Sequence, residues 1–213
     1  MIVPATSESE LMKLVRAIVD CDADAVARLL ADSPSLATAC FETGASRATA
    51  QPYFLAKIGR YIYAGDTALH IAAGGYRTDF VERLIGAGAD VRARNRRDAE
   101  PLHAAAAGTP GSPKWDPHAQ AATIVRLIAA GADPNAPDHG GATPLHKAVR
   151  TRCAAAVKAL TDGGADPRRE TKRGSTALRL AEVNSGRGGT GSPEARAQQQ
   201  EILRLLGADG ATS

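Results

Sequence analysis

His70, His103 and His146 are the residues whose type and spacing most invite a chemical reading, because recurring imidazoles can hold a metal ion or move protons. Each sits in the same local setting: Leu69-His70-Ile71-Ala72, Leu102-His103-Ala104-Ala105 and Leu145-His146-Lys147-Ala148. An identical phase in three places marks repeated structure, and it favours a structural role over a ligand set. Cys21, Cys40 and Cys153 are odd in number and widely spaced, without a C-x-x-C pair, so neither a disulfide framework nor a zinc site is indicated. Inert thiols are the expectation. The glycine-rich residues 186–192 lack the lysine and the preceding strand that a phosphate loop needs. More unusual is Trp115-Asp116-Pro117-His118, which sets the only tryptophan beside an acid and an imidazole on a Gly/Pro-rich stretch. Trp115 there is either a cover for exposed core or an aromatic anchor for a partner or ligand.

The histidines must be positioned by short helices. In Gly141-Ala142-Thr143-Pro144-Leu145-His146-Lys147-Ala148 the threonine can cap free backbone N–H groups, and the proline presets φ at the first helical position without losing a needed donor. Leu145 and Ala148 then face a core. A second apolar segment, Ala154 to Leu160, is stopped by Gly163-Gly164-Ala165-Asp166, whose glycines suit the left-handed close of a helix. The unit is helix, turn, helix, loop. It returns at Thr67-Ala68-Leu69-His70, Glu100-Pro101-Leu102-His103 and Thr176-Ala177-Leu178-Arg179, with stops at Gly88-Ala89-Asp90, Gly131-Ala132-Asp133 and Gly207-Ala208-Asp209. The leucines are spaced 33, 43 and 33 and the aspartates 43, 33 and 43, so a period of 33 with ten extra residues in alternate units fits both series.

A 33-residue period carrying Thr-Pro-Leu-His-x-Ala resembles the ankyrin repeat over roughly residues 10–210. Arginine outnumbers lysine and alanine and glycine are abundant, which points to an ankyrin protein of bacterial type. The resemblance implies an all-α solenoid of stacked helix-turn-helix units with projecting hairpin-like loops. On that pattern the chain is one domain: an N-terminal cap repeat over about 1–37, an extended loop over 38–64, three internal repeats over 65–174 with an insertion near 108–118, and a C-terminal cap repeat over 175–213 with an insertion near 186–194. It further implies that the phased histidines tie neighbouring loops by hydrogen bonds. Loop tips and exposed ends of first helices would form a concave recognition surface, which here comprises Tyr61, Tyr63, Asp66, Arg94, Arg96, Arg97, His139, Arg150, Lys172 and Arg173, with Trp115 beside it. Arg96, Arg97 and Asp98 stand where the turn usually bears glycine.

Within the caps, Ser7-Glu8-Ser9-Glu10 reads as a capping box for a first helix carrying Leu11, Leu14, Val15 and Ile18, and Asp24 to Leu30 as a second helix. In the extended loop, Phe54, Leu55 and Ile58 suit one helical turn folded back on the stack, while Tyr61 and Tyr63 alternate as in a strand. Asp116 before Pro117, and Ser192 before Pro193, read as helix restarts.

Hydrophobic content of 44% is enough for a continuous core, and a net charge of +3 is too mild to imply nucleic acid. The N-terminus has no basic stretch followed by an apolar run, and no segment is long enough to span a bilayer. A cytoplasmic protein, acting as a monomer without cofactor or metal, is expected. With no nucleophile–base pair and no cofactor fingerprint, the reading is a non-enzymatic module that binds a protein partner with an acidic segment on its basic, aromatic face. The alternative is a small-molecule-binding or catalytic protein with its site between the extended first loop and the Trp115 insertion, lined by Tyr61, Tyr63, Asp66, Trp115, Asp116 and His118.

Overall fold

A computed structural model describes residues 5–183 and 193–207. Among the described residues ten α-helices alternate between two rows. The first row is α1 (Ala5–Asp20), α3 (Ala68–Gly74), α5 (Pro101–Ala106), α7 (Pro144–Arg150) and α9 (Ala177–Glu182). The second is α2 (Ala23–Asp32), α4 (Thr78–Gly86), α6 (Pro117–Ala129), α8 (Ala154–Asp162) and α10 (Pro193–Leu205). Each first-row helix packs on the next, and α4, α6, α8 and α10 stack in the same order. The core therefore runs the length of the stack as a ribbon. Leu14, Leu69, Leu102 and Leu145 are fully buried in it, with Val26, Leu84, Leu127, Leu160 and Ile202 from the second row. Small alanines on α3 and α5 let the helices approach closely, so most stabilisation lies between neighbouring units.

Helix ends follow the sequence signals closely. Gly88, Gly131, Gly164 and Gly207 all take positive φ, between 80° and 96°, which closes α4, α6, α8 and α10 in the left-handed conformation. Asp116 caps α6, its carboxylate accepting from the N–H groups of His118 (2.9 Å) and Ala119 (3.0 Å). Asp22 caps α2 through Ala25 N–H at 2.9 Å, so that helix begins slightly earlier than expected and runs on to Asp32. The proposed capping box at Ser7 to Glu10 is corrected: α1 already starts at Ala5, so these residues lie inside the helix, where Glu10 pairs with Lys13 at 2.7 Å and Glu8 accepts from Thr43 at 3.0 Å. The expected cap at Ser192, the glycine-rich residues 186–191, and Ala208 and Asp209 lie outside the described residues.

The loop between α2 and α3 departs most from expectation. Phe54 and Leu55 do not form a helical turn. They make a short strand β1 (Phe54–Leu55) paired antiparallel with β2 (Arg60–Tyr61), so that Phe54 faces Tyr61 and Leu55 faces Arg60. The two rings meet at a tilt of 41°, 4.8 Å between centroids. Phe54 packs against Tyr61 rather than onto the stack, leaving the pair 37% and 40% exposed. Phe41 and Ile62, by contrast, are buried and anchor the loop to the core. Among the described residues no helix is long and apolar enough to cross a membrane.

Candidate functional site

The three histidines are placed alike. Nδ1 of each accepts the backbone N–H three residues earlier, from Thr67, Glu100 and Thr143, at 3.1 Å in every case. That acceptor role leaves the proton on Nε2, which donates to the carbonyl just before the next repeat's helix cap: Ala99 (3.0 Å), Ala142 (3.1 Å) and Ser175 (3.0 Å). Burial lowers all three pKa values, that of His103 to about 4, which keeps the rings neutral and the pattern intact near neutral pH. Each imidazole bridges two repeats. Among the described residues no group of His, Cys, Asp and Glu is arranged to hold a metal ion.

The loop tips between units form one connected row. Arg96 N–H donates to Ala64 C=O at 2.8 Å, His139 N–H to Arg97 C=O at 2.8 Å, and Lys172 N–H to Gly140 C=O at 3.0 Å. Asp98 occupies the phase of Gly65, Gly141 and Gly174 and adopts the same left-handed φ, 54°, so the turn without glycine keeps the shape of the others. Helix pairs in a 33-residue phase thus stack in order, with histidines bridging the units and hydrogen bonds joining the tips. A family model described as ankyrin repeats (many copies) matches residues 127–181, and one described as ankyrin repeat matches residues 64–96. The fold is an ankyrin-repeat solenoid. No curated protein matches the chain.

The ankyrin tips present Arg96, Arg97, His139, Lys172 and Arg173 to solvent. Both guanidinium groups at the second tip lie over the Tyr63 ring, Arg97 at 4.3 Å and Arg96 at 5.1 Å, and Arg96 also donates to Ala45 C=O at 2.6 Å. His139 lies 3.4 Å from the Asp98 carboxylate. Arg94 is half-committed to structure, its guanidinium 3.2 Å from Glu100. Asp66 is corrected from a surface to a structural residue: it is 4% exposed, and its carboxylate accepts from Tyr63 N–H and Asn95 Nδ2, both at 2.8 Å. Arg150 is exposed at the far end of α7, away from the tip turns.

The Trp115 insertion turns back toward the stack. Indole Nε1 donates to Gln120 Oε1 at 2.8 Å, and buried Gln120 donates in turn to Ala105 C=O at 2.9 Å. The insertion meets the β1–β2 hairpin, where Lys114 Nζ donates to Ala56 C=O at 2.5 Å. The hairpin itself is pinned across the first-row helices by Arg60, whose Nη1 donates to Gly74 C=O at 3.1 Å and Ala104 C=O at 2.8 Å, at the C-terminal ends of α3 and α5. Between hairpin, insertion and tips lies a cleft of about 860 Å³. Tyr61, Tyr63, Asp66, Trp115 and Asp116 line it, while exposed His118 does not. Sequence reasoning missed Arg60, Arg77 and Glu100 in its wall. The one signal for Glu100 was its replacement of threonine at a capping position.

Proposed function

We propose that the chain is a non-enzymatic protein-recognition module that binds an acidic segment of a partner along its loop tips, acting as a monomer in the cytoplasm. Ankyrin repeats are generally protein-interaction modules. The observation that carries the finer reading is the hydrogen-bonded row of tips, which holds Arg96, Arg97, His139, Lys172 and Arg173 at fixed positions on one edge. Pre-set cations of this kind recognise carboxylates at little ordering cost, and arginine does so through a planar fork. Tyr63 under the two arginines adds a rigid aromatic base. Charge reversal of Arg97, Lys172 and Arg173 to glutamate tests the site without disturbing the Arg94–Glu100 pair. Fluorescence anisotropy with a labelled Glu/Asp-rich peptide should show binding by the wild type, weakening with added salt and lost in the triple variant. Equal binding by a folded triple variant would remove the tips from the site.

A further inference from the structure

In a plain repeat stack the first-row helices face an open trough. Here the two departures from the period converge on it from opposite sides and touch through Lys114 and Ala56, turning the trough into a walled cleft of about 860 Å³. That size lies within the range of small-ligand sites. Four cations on its lining, Arg60, Arg77, Arg97 and Lys114, pair with no carboxylate among the described residues; their partners are carbonyls, an aromatic ring or, at Arg77 Nε, nothing. Of the acids, Asp66 is saturated by neutral donors and Asp116 caps α6. Glu100 is 3% exposed, and while its Oε1 meets Arg94, its Oε2 has no hydrogen-bond partner. A buried carboxylate oxygen and a buried guanidinium N–H left unmade are each costly, and the two residues that carry them both line the same cleft.

We propose that this cleft binds a small organic anion, a carboxylate or phosphate that also carries a hydroxyl or amine. The anionic group neutralises the unpaired cations, with Arg77 Nε supplying a donor. The hydroxyl or amine donates to Glu100. Inorganic phosphate carries no hydroxyl or amine apart from its anionic group, and a polycation supplies no anion, so neither satisfies the set. Trp115, half-buried on the lining and the only tryptophan, reports occupancy directly. The site shares only Arg97 with the loop-tip charges of the protein-binding face, so either reading can fail alone.

The test uses the full chain at low ionic strength, titrated with glucose 6-phosphate, citrate and AMP, with inorganic phosphate and spermidine as comparators. Trp115 fluorescence and calorimetry are both followed. At least one organic anion should bind ten-fold or more tightly than inorganic phosphate, and spermidine should not bind. Arg77→Gln should weaken that binding at least ten-fold with the melting temperature kept. Glu100→Gln should weaken the organic anion while leaving any binding of inorganic phosphate unchanged; if that variant does not fold, Lys114→Gln at the rim takes its place and should weaken binding several-fold. The proposal is overturned if no organic anion exceeds inorganic phosphate, if spermidine binds instead, or if folded Arg77→Gln binds like the wild type.

Discussion

A single imidazole shows how far a residue's surroundings fix its role. His103 accepts at Nδ1, donates at Nε2, and is buried, which pulls its pKa from 6.5 to about 4. Between those values the unfolded chain binds a proton that the folded chain refuses, so stability is full above about pH 6.5 and falls as pH drops toward 4. The loss attributable to this one group is on the order of 3 kcal/mol at the acid end. His70 and His146, also lowered by burial, act in the same sense, whereas Glu100, whose carboxyl burial holds above its ordinary value, acts in the opposite one. Urea unfolding of His103→Gln should therefore show lower stability than wild type at pH 7.5, by about 2–4 kcal/mol for two lost bonds at a buried site, and a smaller further loss at pH 4.5. Parallel pH profiles for the two proteins would contradict this role for the ring. The histidines were legible in the sequence because their phase repeats. Asp66 was not, because burial at a loop tip depends on Asn95 from the next repeat, a contact that local pattern does not encode.

At the scale of elements, the hairpin and the insertion are held by a few polar anchors laid over well-packed helices. Arg60 is the main one, satisfying two C-terminal carbonyls from separate helices with one guanidinium nitrogen. Arg60→Ala should cost about 1–3 kcal/mol for these charged bonds, and it should speed amide exchange over residues 54–61 more than in α7 or α8. Uniform exchange along the chain would mean that the hairpin is held by something else. Gly108 plays the matching part in the insertion. A Cβ there would lie 2.7 Å from Cys153 Sγ and 2.8 Å from Trp115 Nε1, so Gly108→Ala must push the tryptophan out and should shift its emission to the red, at a cost of about 1–3 kcal/mol. An unchanged spectrum and melting temperature would show that the insertion has room the geometry denies. The elements of the repeats were readable from caps, stops and apolar phase. The hairpin was not, because Phe54 and Leu55 suit a helical turn and a strand equally well and only their pairing with Tyr61 and Arg60 decides.

For the whole molecule, stacking is the fact from which cooperativity follows. Helix packing runs from each unit to the next, so a core residue in the middle supports two interfaces and one near an end supports one. Leu14 and Leu145 are both fully buried, yet Leu14 belongs to the first unit and Leu145 lies between α5 and α9 in the first row. Leu145→Ala should cost about 3–5 kcal/mol, the upper part of the range for such truncations, because the vacated space cannot collapse from either side. Leu14→Ala should cost about 2–3 kcal/mol and leave the later repeats folded at denaturant concentrations where the first has opened. Trp115, in the middle of the stack, provides the probe: its unfolding transition should move sharply for Leu145→Ala and little for Leu14→Ala, while far-ultraviolet circular dichroism broadens only for the latter. Coincident shifts in both variants by both probes would show that the long loop, which ties Thr43 to Glu8 and Lys57 to Asp20 on α1 while Arg60 reaches α3 and α5, has fused the first units into one cooperative block.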